Sequence, residues 1–240
     1  MRVEGAEVAR VLRDVARLGP YFEVVTDPAE EADPTWRPLP ERDTARLIGL
    51  TDAYAERLGT GERRVAASIL FQGLASRLWS PVVAAAAQGV VPDLGGLHWR
   101  WAPGAPIALW LRDPAGLRTG DPAGPVHREV VDGQLRPLRE TMLGFVRLAD
   151  GLLWGNAASA LAGTLRVASG RPGMDGMDGL VRDLLARDPL TGTGSFDHGD
   201  FTRRSCCLYY RVPPEGGLCG DCALKRRTPE PGPGTLSPGQ

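Results

Sequence analysis

The chain has 240 residues, of which 42% are hydrophobic and 24% are charged, and its formal net charge is −1. This composition is ordinary for a globular protein with a sizeable core. The balanced charge creates no global field that would attract nucleic acid or an acidic membrane, so we expect no nucleic-acid partner.

Neither a secretory signal nor a membrane span is predicted. Residues 1–20 carry charges throughout and lack an uninterrupted apolar run. The uncharged run 78–92 is broken by polar residues and by Gly89, and it is shorter than the roughly 20 residues that a spanning helix needs. We therefore expect a buried helix here and a cytoplasmic protein, with peripheral association at the inner face of the membrane as an alternative. Cysteines stay reduced in the cytoplasm.

The first half of the chain is predicted to be mainly helical. Apolar residues recur at helical spacing over 5–18, and Gly19-Pro20 ends this helix. The elements predicted next are a strand at 21–26, a loop at 27–40, helices at 41–58 and 61–79, and a short helix with Ser80 as its cap and Pro81 at its first position.

The second half is predicted to contain a small sheet and further helices. The predicted elements are a hairpin of 97–101 and 107–111, a loop at 112–125, a strand at 126–133, and helices at 135–149, 151–169 and 177–187. The helix at 151–169 is rich in small residues, which allow another backbone to approach closely. We predict an α+β fold: a predominantly helical body with a small antiparallel sheet over 1–190, a cysteine-rich extension over 191–224, and a disordered tail over 225–240.

All four cysteines lie in the C-terminal extension, as Cys206, Cys207, Cys219 and Cys222, with the spacing C-C-x11-C-x2-C. Four thiolates suit tetrahedral zinc or an iron–sulfur cluster. Zinc ribbons usually build both halves of the site from C-x2-4-C turns, and only the second half has that form here. Adjacent side chains on an extended backbone point to opposite sides. A [2Fe–2S] cluster, which has two irons, accommodates such a pair more easily, so the spacing favours the cluster and leaves zinc as the alternative.

The residues around the cysteines also suit an anionic cluster. Cations near a four-thiolate [2Fe–2S] centre, whose formal charge is about −2, would stabilise it and tune its potential. Aromatic rings can shield one side of such a centre. The candidates are Arg203, Arg204, Tyr209, Tyr210 and Arg211. The alternative is that the arginines are solvated surface and that one tyrosine belongs to the core.

The segment RRSCCLYYRVPPEGGLCGDC, residues 203–222, resembles the C-terminal signature of the ferric-siderophore reductase family, the FhuF-type ferric iron reductases. That family carries a C-C-x10-C-x2-C motif that holds an unusual [2Fe–2S] cluster. Residues 152–159 also resemble the helical body of the family. This chain has eleven residues between the second and third cysteines, and the additional residue falls in the turn 213–217.

The resemblance implies one-electron reduction of Fe(III) held by a siderophore, most simply of the hydroxamate type, with the four cysteines as cluster ligands and no acid–base pair. No G-x-G-x-x-G motif follows a strand in the sequence. A separate electron donor is therefore expected, either a ferredoxin, a flavodoxin or an NAD(P)H-dependent reductase. The alternatives are a structural zinc module on a helical binding protein, and an iron–sulfur accessory or sensor protein of siderophore metabolism.

Overall fold

The computed structural model describes residues 1–102, 105–214 and 216–225. The helices are α1 (Gly5–Ala16), α2 (Thr44–Arg57), α3 (Arg63–Ala87), α4 (Ala123–His127), α5 (Arg136–Leu143), α6 (Asp150–Ala168) and α7 (Met177–Leu185). The strands are β1 (Arg2–Val3), β2 (Arg37–Pro38), β3 (Val90–Pro92), β4 (Leu97–Arg100), β5 (Ala108–Leu111), β6 (Gly116–Arg118), β7 (Gly194–Asp197) and β8 (Asp200–Arg203).

Helices α3 and α6 form the centre of the protein and run side by side in the same direction. Near their N-terminal ends, Asn156 of α6 donates a hydrogen bond to the carbonyl oxygen of Ser68 in α3, at 2.9 Å. Further along both helices, the hydroxyl oxygens of Ser80 and Thr164 lie 3.2 Å apart. Because residue numbers rise together along the two helices, their N-terminal ends lie at the same end of the molecule.

Helix α3 is long and apolar enough to cross a membrane by length and composition, but 78% of its most apolar window is buried inside the protein. It packs against α1, α2, α6 and α7. Contacts with these helices therefore account for its hydrophobicity. The buried helix predicted for 78–92 is confirmed as far as Ala87, whereas residues 90–92 form β3.

Short antiparallel strands flank this helical centre. The strand orders are β1-β6-β3, β2-β4-β5 and β7-β8. The predicted hairpin is confirmed as β4 and β5, with Leu97 opposite Leu111 and Arg100 opposite Ala108. The α+β fold with a predominantly helical body is likewise confirmed.

The prediction of a strand at 126–133 was wrong, because this segment is helical. It continues from α4 through a π-helical stretch, Arg128–Leu135, into α5. The adjacent residues Val130 and Val131 are both buried, which does not fit the alternation of a half-buried strand. The β-branched composition alone therefore did not identify the structure of this segment.

The break predicted at Ser80-Pro81 is also absent from α3, which contains Pro81 in its interior. Proline removes one hydrogen bond from the helix, and the burial of the surrounding residues on several neighbouring helices compensates for this loss.

The strand predicted at 21–26 is instead a 3-10 turn, Pro20–Phe22, followed by a single bridge from Val25 to Trp110. The buried guanidinium of Arg77 donates to the carbonyl oxygens of Pro20, at 2.7 Å, and Glu23, at 2.6 Å. The side chain of Arg77 therefore satisfies carbonyl groups that a neighbouring strand would otherwise bind.

The C-terminal region is more regular than its composition indicates. Residues 194–203 form the β7-β8 hairpin, in which the rings of Phe196 and Phe201 are 5.3 Å apart. The proposed division at residues 190 and 224 stays a prediction. Of the predicted tail, only Lys225 is among the described residues, and its ammonium group donates to the carbonyl oxygen of Gly220 at 3.1 Å.

Candidate iron–sulfur site

The two halves of the cysteine motif come together beside the N-terminal halves of α3 and α6. The hydroxyl of Ser205 donates to the carbonyl oxygen of Gly151 in α6, at 3.2 Å, and that of Ser68 in α3 donates to the carbonyl oxygen of Cys207, at 2.7 Å. These bonds hold the first pair of cysteines. The second pair lies in a tight turn, where the amide of Cys222 donates to the carbonyl oxygen of Cys219 at 3.1 Å.

The sulfur atoms of Cys207 and Cys219 lie 3.6 Å apart. Two thiolates bound to one tetrahedral ion, each about 2.3 Å from it, are separated by about 3.7 Å. All four cysteines are free thiols. This pair therefore already has the separation that ligation to a common metal requires.

Backbone amides donate to two of the other sulfurs. The amide of Leu208 lies 3.4 Å from the sulfur of Cys206, and the amide of Leu224 lies 3.4 Å from that of Cys222. Hydrogen bonds to the ligand sulfurs are one of the means by which proteins set the potential of iron–sulfur clusters. The donor set thus fits such a cluster.

The contact between Cys207 and Cys219 favours loss of a proton from Cys207. The hydrogen bond between the two sulfurs lowers the pKa of Cys207 to about 6 and raises the pKa of Cys219. Burial raises the pKa of Cys206. Cys207 is therefore the thiolate of the pair, and the thiolate is the form of cysteine that binds metals.

Among the described residues, no three His, Cys, Asp or Glu side chains converge as ligands of a single metal ion. A mononuclear zinc site requires four donors around one point. A [2Fe–2S] cluster has two irons, so its four ligands need not converge on one point.

Arg203 joins the cysteine motif to the helical body. Its side chain is only 1% exposed, and it donates to both carboxylate oxygens of Asp221, from Nε at 2.9 Å and from Nη2 at 3.0 Å. Asp221 stands between Cys219 and Cys222 in the sequence. Burial alone would lower the pKa of Arg203, but the hydrogen bonds and charge of Asp221 outweigh it and raise that pKa.

The same guanidinium also contacts α6 and, through it, the first pair of cysteines. Arg203 donates to Oδ1 of Asn156 at 2.7 Å and to the hydroxyl of Ser159. The amide of Asn156 in turn donates to the hydroxyl of Ser68, at 2.9 Å, which donates to the carbonyl oxygen of Cys207. One buried chain of hydrogen bonds therefore connects both halves of the motif.

Two glycines permit the backbone to pack closely around the cysteines. A Cβ on Gly155 of α6 would lie 2.1 Å from the hydroxyl oxygen of Ser205, which confirms that this small-residue helix admits a close neighbour. A Cβ on Gly216 would lie 2.1 Å from the carbonyl oxygen of Tyr209. Gly216 belongs to the turn that contains the additional spacer residue, so this turn folds back tightly on the segment after Cys207.

The other residues predicted around the cysteines are at the surface. Tyr209 and Tyr210 are each 42% exposed. Arg211 binds Glu62, with 2.7 Å between Nε and Oε1. The side chain of Arg204 is exposed. Of the predicted arginines, Arg203 alone is buried beside the sulfurs, and the roles assigned to all these residues, including the four cysteines as ligands, stay predictions.

A groove of about 770 Å³ opens beside the cysteines. Its walls are residues 18–22, one face of α3, the C-terminal half of α6, and the β7-β8 hairpin. Cys219, Gly220 and Asp221 are also part of its wall. We name it the α6 groove. Its volume lies within the range of about 300–1,000 Å³ that is typical of small-molecule sites.

Sequence reasoning did not identify most of this surrounding structure. Asn156 and Ser159 were part of a segment interpreted only as a tightly packed helix, yet both are buried and both bind Arg203. Two polar residues three positions apart in an otherwise apolar helix share one face. This pattern could have indicated that a buried polar side chain from elsewhere in the chain binds to that face of the helix.

These features define a four-cysteine site that is built into a helical body. Residues 203–224 match the family model of the FhuF 2Fe-2S C-terminal domain. This match confirms the resemblance seen in the sequence, and it indicates a [2Fe–2S] cluster as the cofactor. A comparison of the chain with curated proteins gave no match.

Replacing Arg203 tests the buried network. Arg203→Met leaves the carboxylate of Asp221 without its cation, and removing one partner of a buried pair costs about 3–5 kcal/mol. We expect a loss of this size in the free energy of unfolding, measured by denaturant titration, together with loss of iron and sulfide. Arg204→Met is the matched control, because Arg204 is exposed and adjacent, and it should change stability by less than about 0.5 kcal/mol. Equal effects of the two changes would contradict the assigned network.

Two adjacent glycines test the turn after Cys207. Gly216→Ala places a methyl group against backbone atoms, whereas a Cβ on Gly217 meets nothing within 4 Å. We expect Gly216→Ala to lower the free energy of unfolding by about 2 kcal/mol and to reduce cluster content, measured by absorbance and iron analysis. Gly217→Ala should leave both unchanged. The packing of this turn would be wrong if the two variants behaved alike.

Proposed function

We propose that the protein is a [2Fe–2S]-dependent ferric-siderophore reductase that transfers one electron to chelated Fe(III) and thereby releases Fe(II) in the cytoplasm. The observation that carries this proposal is the α6 groove, which exposes Cys219 to a space large enough for a small chelate. The FhuF-type 2Fe-2S domain at residues 203–224 supports the same function.

We further propose that Cys206, Cys207, Cys219 and Cys222 hold the cluster. Cys207 and Cys219 would share one iron, since their sulfurs are 3.6 Å apart. Cys206 and Cys222 would then hold the other. A bound [2Fe–2S] cluster supplies one electron at a time, which matches the reduction of Fe(III) to Fe(II).

The residues of the chain position the substrate and protect the site. Cys207 and Cys222 are buried, so water has little access to that side. Cys219 lies in the groove wall and faces the place where the chelate would bind. Hard oxygen ligands such as hydroxamates hold Fe(III) much better than Fe(II), so electron transfer alone weakens the complex. The iron of the substrate gains one electron, and no covalent bond to the protein is formed.

The walls of the groove suit a compact chelate with apolar and polar parts. Tyr21, Phe196 and Phe201 contribute aromatic surface, and Ser76 and Ser80 of α3 contribute hydroxyl groups. Such pockets combine apolar walls with a few placed polar groups. A hydroxamate siderophore, with its aliphatic backbone and amide groups, has the matching composition.

Loss of one proposed ligand tests the cofactor and the reaction together. Cys206→Ser should abolish the visible absorbance, the stoichiometric iron and sulfide, and the reduced-state EPR signal of anaerobically purified protein. It should also abolish reoxidation of the dithionite-reduced protein by a ferric hydroxamate. Wild-type protein that is colourless and contains one zinc would refute the proposal in favour of a structural zinc module. Wild-type protein with a cluster that the ferric hydroxamate does not reoxidise would indicate an accessory or sensor protein.

Filling the groove tests the substrate site without altering the cysteines. Gly163 lines the groove, and a Cβ there meets nothing within 4 Å, so Gly163→Phe should fold normally and project into the groove. We expect reoxidation by a ferric hydroxamate to slow at least about tenfold, because a misplaced substrate loses this much or more. Reoxidation by ferricyanide, a small outer-sphere oxidant, should be unchanged.

The control for this experiment is Gly49→Phe in α2, an exposed glycine whose Cβ would also meet open space and which lies outside the groove wall. It should leave both reoxidation rates near those of the wild type. An unaffected ferric-hydroxamate rate in Gly163→Phe would place the substrate elsewhere.

A further inference from the structure

A second exposed surface lies close to the cysteines and takes no part in the groove. Tyr209 and Tyr210 are each 42% exposed and Leu218 is 45% exposed. Gly216 lies against the backbone of Tyr209 and Tyr210, and Leu218 follows it two residues later in the sequence. We name Tyr209, Tyr210, Arg211 and Leu218 the tyrosine face. None of these residues lines the α6 groove.

The surroundings of the tyrosine face are basic. Glu62 accepts hydrogen bonds from both Arg211 and Arg64, at 2.7 Å and 2.9 Å, so two guanidinium groups share one carboxylate. The stretch 203–225 contains four basic and two acidic residues, a net charge of +2. Because the whole chain has a net charge of −1, the segment that carries the cysteines is more basic than the chain as a whole.

Residues at and along α3 contact the tyrosine face first, then the cysteine segment, and then line the groove. Glu62, which binds Arg211, is the residue before α3 begins. Ser68 holds Cys207, and Gln72, Ser76 and Ser80 line the groove. At a rise of 1.5 Å per residue, Ser68 lies about 9 Å from Glu62 and about 12 Å from Ser76 along the helix. The cysteines thus lie between two separate accessible surfaces.

We propose that the tyrosine face is the docking surface for an acidic one-electron carrier protein, of the ferredoxin or flavodoxin class. Exposed tyrosines beside two arginines that share one carboxylate are suited to a protein partner, since aromatic residues and arginine are enriched in interfaces and opposite charge speeds encounter. The carrier loses one electron, the bound cluster gains it, and neither bonds nor protons are exchanged. This inference rests on the proposed function, because it requires a cluster that turns over.

The experiment measures cluster reduction in the holoprotein by a reduced acidic [2Fe–2S] ferredoxin under stopped flow. Arg64→Gln combined with Arg211→Gln should lower the second-order rate at low salt by about tenfold, the lower end of steering effects, and should flatten its dependence on ionic strength. The control, Arg112→Gln with Arg118→Gln, removes two arginines that are also exposed and paired, but Arg118 belongs to β6 and Arg112 follows directly after β5. It should behave like the wild type.

A second variant tests the apolar part of the face independently of charge. Tyr210→Ser combined with Leu218→Ser should raise the ferredoxin concentration needed for half-maximal rate several-fold, with the ionic-strength dependence retained. Photoreduction by deazariboflavin, a small uncharged reductant, should proceed equally in every variant, which excludes damage to the cluster.

The outcomes separate this inference from the proposed function. Equal ferredoxin rates in the Arg64/Arg211 variant and its control would overturn the docking surface, even if ferric hydroxamate still reoxidises the protein. Vesicles containing phosphatidylglycerol provide the test for a membrane contact. If they bind the wild type but not the Arg64/Arg211 variant, and ferredoxin rates are unaffected, the docking proposal is wrong. Failure of ferric hydroxamate to reoxidise the wild type, after normal reduction by ferredoxin, would refute the reductase function alone.

Discussion

The buried ion pair of Arg203 with Asp221 is the interaction on which the cysteine site depends. A charge inside a protein is costly unless it is paired and hydrogen-bonded. Arg203 satisfies this condition through Asp221 in the second half of the motif and through Asn156 and Ser159 of α6. Although burial raises the pKa of Asp221, its hydrogen bonds and charge interaction with Arg203 keep that pKa below its usual value. The pair therefore stays ionised.

This network makes the cysteine site part of the helical body and not an independent knuckle. The first cysteine pair is tied to α3 through Ser68, and the second is tied to α6 through Arg203. The spacer turn lies outside these bonds and packs mainly through Gly216 on Tyr209. An additional residue can therefore be accommodated there, because neither of the anchored halves has to move.

Local patterns in the sequence were sufficient to predict the helical body and the β4-β5 hairpin. The family model at residues 203–224 agrees with the predicted [2Fe–2S] cofactor, and the four cysteines as its ligands stay a prediction. Local patterns failed where a long-range contact decides the local structure. Arg77 satisfies the carbonyl groups of residues 20 and 23 and so replaces a strand partner. Packing against neighbouring helices keeps α3 continuous at Pro81. Arg203, Asn156 and Ser68 are distant in sequence, so no spacing rule could reveal that they form one chain of hydrogen bonds.

The two surfaces on either side of the cysteines differ in chemistry, and this difference has a functional consequence. In the groove, Arg182 pairs with Asp178 and Asp221 with Arg203, so Arg166 and Asp200 remain as opposite charges in its wall. The tyrosine face has an excess of positive charge instead. A small uncharged chelate and an acidic protein would each be attracted to only one of these surfaces. Under the proposed function, the chelate and the electron donor would bind at the same time, and delivery of an electron would not have to wait for release of the chelate.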